Sequence, residues 1–325
     1  MERIGFVGIG LMGHGMAKNL LAKGYSLAFR VHRNRANLAD LVAAGAAEVS
    51  DTRALIAASD IIFFCVTGSP QVEEIIYGTD GLLAAITVAP PVATRPPPAG
   101  ARDELGTARR SSLGDGMMVV DCSTSEPDST AKIRADLANK GVIYVDAPLA
   151  RTPKEAEEGR LNTMVGADAA SFERLQPVMK AFCENVIHVG PPGHGHVLKL
   201  VNNFLALSIA TSTAEAFAIA AKSGLSLRKL LEVITAGGVN SGVFQMIASK
   251  AVDGDLAGMK FTIANGRKDM SYYTHLAESH NAPCYVGEAV HQSLVQAAAL
   301  GLGERFIPSL LEAQEKLNGI KIVPR

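Results

Sequence analysis

The start of the chain combines a short apolar run, a glycine-rich turn and a helical stretch. These segments are Ile4 to Val7, Gly8-Ile9-Gly10-Leu11-Met12-Gly13 and Leu11 to Lys23, and another apolar run follows at Leu27 to Val31. Such glycines allow the backbone to approach a pyrophosphate, while the helix N-terminus offers N–H donors and the positive end of its dipole. Because the turn lies between a strand and a helix, it predicts a dinucleotide-binding site that involves Gly8, Gly10, Leu11, Met12 and Gly13.

The first half of the chain continues to alternate apolar runs with helical stretches. Further runs of this kind are Asp60 to Val66, Met117 to Asp121, and Val142 to Asp146. Runs that are apolar on both faces are typical of a parallel sheet covered by helices on each side. We therefore predict a Rossmann-type α/β domain over residues 1–192, with a doubly wound and mainly parallel sheet.

The second half shows helical patterns almost throughout. The predicted helices cover His196 to Ser223, Ser226 to Thr235, Phe244 to Val252, Phe261 to Glu278, Val286 to Ala299, and a last stretch at the end of the chain. We predict an all-α domain over residues 193–325, linked to the first domain by the long helix that begins at His196. A chain of 325 residues is long enough for two domains.

Residues 87–116 form a segment rich in proline and arginine. It contains Pro90-Pro91 and Pro96-Pro97-Pro98, and it lies where a short connection between a helix and a strand would suffice. We interpret the segment as a surface insertion. An inert loop is the simpler interpretation, and a functional lid is the alternative.

Composition narrows the class of protein. The net charge is -1 and 19% of the residues are charged, which gives no indication of a nucleic-acid or membrane-surface partner. The four cysteines show no spacing of paired metal ligands, and the neighbouring His194 and His196 are weak evidence for a metal. We therefore expect a cytoplasmic protein with reduced thiols and no metal. No signal peptide is visible, and the polar residues within Leu198 to Ala221 favour a buried helix over a membrane span.

The stretch after the second apolar run predicts which dinucleotide is bound. Enzymes that use NAD usually place an acidic residue about 20 residues after the glycines, where it binds the ribose 2′-hydroxyl. Here the stretch reads Arg30-Val31-His32-Arg33-Asn34-Arg35 and contains no acid. An arginine at this place can pair with the 2′-phosphate of NADP. We predict NADP, with NAD possible, bound by Arg33 first, then Arg35, with Asn34 in the same turn; the alternative is that both arginines lie in a solvated loop.

Two loops with small polar side chains follow predicted strands. One contains Val66 and Thr67, and the other contains Ser123 and Thr124. Ligands of open α/β sheets bind at the carboxyl ends of the strands, and these side chains suit a nicotinamide and a carboxylate. We predict that Val66, Thr67 and Ser123 contact the cofactor, and that Ser123 holds a substrate carboxylate. Each loop taken alone could equally be an ordinary helix cap.

A glycine-rich turn also precedes the long helix of the second half. Lys199 and Asn203 lie four residues apart in that helix and therefore share a face. A lysine within an apolar helix needs a reason, because burial of its charge is unfavourable. Burial can lower a lysine pKa towards neutrality and make the group a usable proton donor. The alternative is a lysine whose stem is buried while its charge reaches water.

Taken together, these motifs resemble the β-hydroxyacid dehydrogenase family, which includes 3-hydroxyisobutyrate dehydrogenases and semialdehyde reductases. The resemblance covers nearly the whole chain. It consists of Gly8-x-Gly10-x-x-Gly13, Asp121-Cys122-Ser123-Thr124, Asp146-Ala147-Pro148, Gly193-x-Gly195-x-x-x-Lys199-x-x-Asn202-Asn203, and Lys268-Asp269. Five motifs in the right order are strong evidence, although each alone is weak.

The resemblance implies roles for individual residues. Lys199 would be the general acid and base for hydride transfer between nicotinamide and a small 3-hydroxy acid or its semialdehyde or 2-oxo acid counterpart. Asn203, Ser123 and Thr124 would bind this small carboxylic acid. Lys268 would lie by the cofactor or the substrate, and the long helix would help to form a homodimer or homotetramer.

The chain departs from the family pattern in two places. After Asp-Ala-Pro the family usually has a Ser-Gly-Gly loop, whereas this chain has Leu149-Ala150-Arg151-Thr152-Pro153. Loss of the glycines removes close backbone approach, while Arg151 adds a bidentate carboxylate binder. We hypothesise that Arg151 contacts the acid group of the substrate, or a second acid group; alternatively it points outward. The second departure is the proline-rich segment, which the family pattern does not explain.

Two other functions remain open from the sequence. Imine reduction occurs in the same superfamily, but imine reductases generally lack the lysine seen at Lys199. A non-catalytic NADP-binding or reader module has no need of a proton donor, and so the presence of Lys199 and Asn203 favours catalysis. The sequence does not distinguish between particular hydroxy acids, between reaction directions, or between a dimer and a tetramer.

Overall fold

The computed structural model describes residues 1–31, 35, 38–87 and 116–324. Most of the predicted proline-rich insertion, and the positions of Arg33 and Asn34, lie outside these residues. The chain divides into two compact units, Met1–Lys199 and Leu200–Arg325. The boundary predicted between residues 192 and 193 stays a prediction.

The first unit contains a mixed sheet with helices between its strands. Its strands are β1 Ile4–Val7, β2 Leu27–Arg30, β3 Ala47–Glu48, β4 Ile61–Phe64, β5 Met118–Asp121, β6 Ile143–Asp146, β7 Leu149–Ala150, β8 Leu161–Gly166 and β9 Cys183–Gly190. Its helices are α1 Leu11–Ala22, α2 Ala39–Ala43, α3 Thr52–Ala57, α4 Ser69–Tyr77, α5 Leu82–Thr87, α6 Pro127–Ala138, α7 Pro153–Glu157 and α8 Ala169–Met179. Helix α9, His194–Lys222, begins in this unit and continues into the second.

The strand order makes the sheet doubly wound, as predicted. Along the sheet the order is β3-β2-β1-β4-β5-β6-β8-β7, with β9 beside β8. Strands β2, β1, β4, β5 and β6 run parallel to one another, whereas β8 runs antiparallel to β6. The chain builds outward from β1 first on one side and then on the other, so a crevice opens between β1 and β4 at their carboxyl ends.

Apolar side chains fill both faces of this sheet. Along β4, Phe63 belongs to the cluster on one face, with Phe6, Phe29 and Phe182, while Phe64 belongs to the cluster on the other. All five phenylalanines are fully buried, and each burial stabilises the fold by about 1.5–3 kcal/mol. Burial on both faces is the reason that the strands read as continuous apolar runs.

The second unit is helical in its described part. Besides the continuation of α9 it contains α10 Leu227–Ala236, α11 Gly242–Ala251, α12 Ile263–Ser279, α13 Tyr285–Ala297 and α14 Leu310–Asn318, with a π-helical turn at Ala298–Leu302 and a 3-10 turn at Ile307–Ser309. Leu207 and Phe217 of α9 lie in its core with Ile247, Met270 and Leu294. By length and composition alone α9 could cross a membrane, and 44% of its most apolar window is buried in the protein.

Helix α1 is held tightly against α7, the short helix after the Arg151 loop. A Cβ atom at Gly15 would lie 2.4 Å from the carbonyl carbon of Ala156, so only glycine permits this approach. The Asn19 amide nitrogen donates to the carbonyl oxygens of Gly15 at 2.7 Å and Ala156 at 3.0 Å. These contacts connect the helix of the glycine-rich turn to the segment that carries Arg151.

His14 extends this contact to α2. Its Nδ1 lies 2.6 Å from Glu157 Oε1 and its Nε2 lies 2.9 Å from Asp40 Oδ2, while Lys18 Nζ lies 3.0 Å from Glu157 Oε2. Burial lowers the pKa of His14, but hydrogen bonds to Glu157 and Asp40 raise it more, and the pKa lies above its ordinary value of 6.5. The charged ring therefore stabilises the junction of α1, α2 and α7.

We expect the contribution of His14 to stability to depend on pH. Because its folded pKa lies above the unfolded value, the stabilisation is fully present below about pH 6.5 and is lost as the pH rises through the folded pKa. Replacement by His14→Gln should lower the melting temperature most at about pH 6 and less at about pH 9. Melting curves across this range measure the effect. The control is His280→Gln, because the His280 side chain is exposed at the end of α12. A His14→Gln deficit that stays constant with pH would contradict the assignment.

Candidate functional site

A cavity of about 670 Å³ lies at the carboxyl ends of β1, β2 and β4, where the strand order reverses. It is lined by Val7, Gly8, Ile9, Gly10, Arg30, Val31, Leu38, Cys65, Val66, Thr67, Pro70, Gln71, Glu74 and Ile75. The crevice at such a reversal is where open α/β sheets bind their ligands.

The three glycines of the turn serve different purposes. Gly8 has a φ of +99°, and a Cβ there would lie 2.3 Å from the Cys65 carbonyl oxygen. At Gly13 a Cβ would lie 2.2 Å from the Gly8 carbonyl oxygen, so this glycine lets α1 pack closely on the turn. At Gly10 a Cβ would meet no atom within 4 Å. The open space at Gly10 allows a ligand to approach the backbone, as a pyrophosphate does in dinucleotide sites.

The N-terminus of α1 adds hydrogen-bond donors beside the glycine-rich turn. Helix α1 begins at Leu11 after Gly10, which supplies no side-chain cap, so the first N–H groups of the helix are available to an anion. The Leu11 side chain is exposed, whereas Met12 packs against the core. The cavity, the glycine backbone and the helix N-terminus together fit a dinucleotide.

The predicted arginine loop is only partly described. Arg33 and Asn34 lie outside the described residues. Arg35 is exposed, and its guanidinium lies 2.8 Å from Glu48 Oε2 of β3. The sequence pattern did not single out Arg30, which lines the cavity. Its guanidinium contacts Asp80 Oδ2 at 2.7 Å and Thr52 Oγ1 at 2.7 Å. The sequence signal that could have identified Arg30 was its position at the end of the apolar run that forms β2.

The structure brings the two polar loops together. The Ser123 Oγ accepts a hydrogen bond from the Val66 backbone N–H at 3.1 Å. The Ser69 Oγ accepts one from the Glu126 backbone N–H at 2.7 Å. Ser123 is buried, and the bond from Val66 leaves its own hydroxyl proton to donate. Thr67 and Thr124 lie beside these contacts in the same loops, as the sequence indicated.

A buried carboxylate fixes the start of α9 at the same edge of the sheet. Asp146, at the end of β6, accepts hydrogen bonds from the Gly193 N–H at 2.6 Å and the His196 N–H at 3.0 Å. A Cβ at Gly195 would lie 2.5 Å from the Met164 carbonyl oxygen, so the helix approaches β8 closely. Lys199 lies three residues after His196 in this helix and is partly buried.

Arg151 lies in an unusual backbone conformation. Its φ is +82°, in the left-handed region that favours glycine, at the place where the family pattern has a glycine. The guanidinium contacts the Glu184 carboxylate of β9 and the carbonyl oxygen of Arg160. The structure therefore pairs Arg151 with a carboxylate of the protein, and contact with a substrate would require exchange of that partner.

The second unit contains a separate polar cluster. Asn203 of α9 is buried, and its amide nitrogen donates to Asp269 Oδ2 at 2.6 Å. Lys268 Nζ lies 2.9 Å from Asp269 Oδ1 and 5.0 Å from the centre of the Tyr272 ring. Asp269 thus joins Asn203 to Lys268. The sequence placed Lys268 and Asp269 in one motif but did not indicate this bond, which spans 66 residues.

Two family models match the chain. Residues 3–90 and 103–190 match the NAD binding domain of 6-phosphogluconate dehydrogenase, and residues 193–310 match the NAD-binding domain of NADP-dependent 3-hydroxyisobutyrate dehydrogenase. The gap between the first two ranges falls within the predicted proline-rich insertion. The matched names include both NAD and NADP, so the cofactor is a nicotinamide dinucleotide.

Named relatives agree with these models. The chain is 32% identical to 2-(hydroxymethyl)glutarate dehydrogenase of Eubacterium barkeri, over 98% of this chain and 97% of that protein. It is 34% identical to NAD-dependent L-serine dehydrogenase of Pseudomonas aeruginosa, over 72% of this chain and 69% of that protein. The fold resembles that of 3-hydroxyisobutyrate dehydrogenase from Mycobacterium tuberculosis, with a TM-score of 0.78, 22% identity, and coverage of 96% and 98% of the two chains. The chain therefore belongs to the β-hydroxyacid dehydrogenase family of NAD(P)-dependent oxidoreductases.

Proposed function

We propose that the protein is an NADP-preferring dehydrogenase that interconverts a small 3-hydroxy acid and its semialdehyde or 2-oxo acid counterpart, with Lys199 as the general acid and base. The observation that carries this proposal is the anchoring of the first turn of α9 by Asp146. Strands β5 and β6 are paired at Asp121 and Asp146, so the Ser123 loop and the start of α9 meet the sheet side by side. This arrangement favours a substrate whose carboxylate binds at Ser123 while its reacting oxygen faces Lys199.

Each residue has a distinct task in this mechanism. The bound cofactor supplies or accepts the hydride. In reduction the Lys199 ammonium donates a proton to the substrate carbonyl oxygen, and in oxidation the neutral amine accepts the hydroxyl proton. Ser123 and Thr124 hold the carboxylate through their hydroxyl donors. Asn203, four residues after Lys199 in α9, orients the substrate, and Lys268 lies by the cofactor or the substrate.

Removal of the proton donor should slow turnover strongly without loss of cofactor binding. We expect Lys199→Ala to reduce kcat by about 10²- to 10⁴-fold, the usual contribution of general acid–base catalysis. Initial rates with glyoxylate, succinic semialdehyde, methylmalonate semialdehyde and tartronate semialdehyde measure this effect, and NADPH fluorescence measures binding. Lys222→Ala, at the other end of α9, is the control. Full activity in Lys199→Ala would refute the assignment.

The proposal includes a preference for NADP over NAD. It is supported by Arg33, Asn34 and Arg35 and by the lack of an acid in the Arg30–Arg35 stretch. One relative is named as NAD-dependent, so the preference does not follow from membership of the family. Arg35 has a carboxylate partner in Glu48, which a 2′-phosphate would have to replace. Arg33 is therefore the first choice for the contact.

Loss of Arg33 should affect one cofactor and spare the other. A hydrogen bond to a charged group is worth about 1.5–3 kcal/mol, so Arg33→Ala should raise KM for NADPH by about 10- to 150-fold. The KM for NADH should change little, because NADH has no 2′-phosphate. Steady-state rates with both cofactors at fixed ionic strength test this, with Arg53→Ala in the exposed part of α3 as the control. Equal losses with both cofactors, or a wild-type preference for NADH, would contradict the proposal.

We also propose that Arg151 binds an acid group of the substrate. Its strained φ shows that the chain keeps an arginine where glycine would be easier to accommodate. Its contact with Glu184 shows that a carboxylate fits beside the guanidinium. One relative is named for a glutarate derivative, which has two carboxylates, and this favours an extra acid-binding residue.

Replacement of Arg151 by glycine removes the guanidinium charge and the backbone strain together, whereas replacement by lysine keeps a positive charge. We expect Arg151→Gly to raise the substrate KM by about tenfold or more, because a charge-assisted hydrogen bond is lost. The melting temperature should change little, since relief of the strained φ offsets the lost contacts with Glu184 and the Arg160 carbonyl oxygen. Arg151→Lys keeps the charge but loses the bidentate geometry, and it should give an intermediate KM. An unchanged KM in Arg151→Gly would show that the side chain points away from the substrate.

We further propose that the enzyme acts in the cytoplasm as a homodimer or homotetramer. Leu198, Val201, Leu205 and Ile219 recur at helical spacing along α9, and each is at least 36% exposed. Such an apolar row on a long helix favours contact with a second copy of the chain.

A further inference from the structure

His196 is fully buried in the first turn of α9, three residues before Lys199. Its Nδ1 lies 2.7 Å from the Thr130 Oγ1 of α6. Thr130 Oγ1 also lies 3.1 Å from the Glu126 carbonyl oxygen, and its single proton can be donated to only one of these two partners. One edge of the ring is therefore held by α6, the helix that follows the Ser123 loop.

The other edge of the ring faces Asp121. His196 Nε2 lies 3.7 Å from Asp121 Oδ2, and among the described residues it has no hydrogen-bond partner. This separation is too long for a hydrogen bond, but a small rotation of the ring or helix would close it. Both groups are buried, so water does not screen them and their electrostatic interaction is stronger than it would be at the surface.

Asp121 organises the loop that contains Ser123. Its Oδ1 accepts a hydrogen bond from the Ser123 N–H at 2.8 Å, and its Oδ2 accepts from the Ser125 hydroxyl at 2.8 Å and the Tyr144 hydroxyl at 2.9 Å. Burial, followed by the charge of Asp121, raises the pKa of Tyr144 well above its ordinary value, so the phenol remains a donor. The Asp121 carboxylate thus fixes the loop that contains Ser123, and it also faces the His196 ring.

Two different restraints therefore act on the first turn of α9. Asp146 binds backbone N–H groups and fixes how far the helix advances towards the sheet. The His196 ring lies between Thr130 and Asp121, and neighbours on both edges of the ring would restrict rotation of this turn about the helix axis. At a radius of about 5–6 Å, a rotation of about 10° moves a side chain by about 1 Å, and a displacement of that size can cost about 10²-fold in rate.

We propose that His196 is a positioning residue that sets the rotation of α9 and so places Lys199 relative to a substrate carboxylate at Ser123. The inference rests on the function proposed above. His196 itself does not touch the substrate in this scheme. It acts through the helix that carries the proton donor.

The test compares His196→Leu, which keeps bulk and loses both polar edges, with His196→Gln and Thr130→Val. We expect kcat to fall about 10- to 100-fold in His196→Leu and less in His196→Gln, while the Kd for NADPH stays at the wild-type value. In this scheme the proton is donated as the hydride arrives, so slowing of this single chemical step should increase the isotope effect with deuterated NADPH. Thr130→Val removes one restraint at nearly constant volume, and it should give a smaller loss of the same kind.

Hydrogen exchange in the first turn of α9 tests the restraint without turnover. Exchange in the peptide that covers residues 194–203 should be faster in His196→Leu and Thr130→Val, and exchange in β1 and α1 should not change. Wild-type kcat in His196→Leu, or unchanged exchange in that peptide, would overturn the inference. If the wild type turns over no acid, the proposed function fails, and the exchange result alone decides whether His196 restrains the helix.

Discussion

The Asp146 carboxylate lies buried, away from water, at the point where the longest of the described helices begins. The backbone N–H groups of Gly193, just before the helix, and of His196, in its first turn, donate to it, and a carboxylate at a helix N-terminus also interacts favourably with the helix dipole. Bonds of this kind are worth about 1.5–3 kcal/mol each, and an unpaired buried carboxylate would cost more than that. The position of α9, and with it that of Lys199, depends on this interaction.

The same carboxylate explains residues that otherwise have no evident role. A Cβ at Gly166 would lie 2.7 Å from its oxygens, and one at Gly195 would lie 2.8 Å from Oδ2. Both glycines therefore make room for the carboxylate between β8 and α9. One buried charge thus constrains the sequence of β6, β8 and the first turn of α9 at the same time.

The long elements could be predicted from the sequence, and the short ones could not. Strands such as β4 are apolar on both faces, and the helices of the second unit repeat apolar residues over several turns, so both give clear periodic signals. Strands β3 and β7 have two residues each, which is too short for any period. Strand β9 is largely exposed, so it lacks the apolar run that marks a buried strand.

The residues of the candidate site also divide into those whose surroundings the sequence could predict and those whose surroundings it could not. The glycine-rich turn and Lys199 follow from local order, because their neighbours in sequence are also their neighbours in space. The bonded partners of Arg151 and His196 do not, since Glu184 and Thr130 lie 33 and 66 residues away. Acidic residues such as Glu155 lie closer to Arg151 in the sequence, yet the structure pairs Arg151 with Glu184. Long-range pairs of this kind are set by strand order, which local patterns leave open.

The connection between α5 and β5 has a consequence for how the chain can change over evolution. Parallel strands begin at one edge of a sheet and end at the other, and β5 begins at Met118 on the edge opposite the glycine-rich cavity. At that edge the Gly116 N–H donates to the Gly141 carbonyl oxygen, and Gly116 in turn accepts a bond from Arg174. Chain added or lost just before Gly116 leaves the strand anchored and the cavity lining intact. A difference in chain length just before Gly116 is therefore compatible with the same described cavity lining.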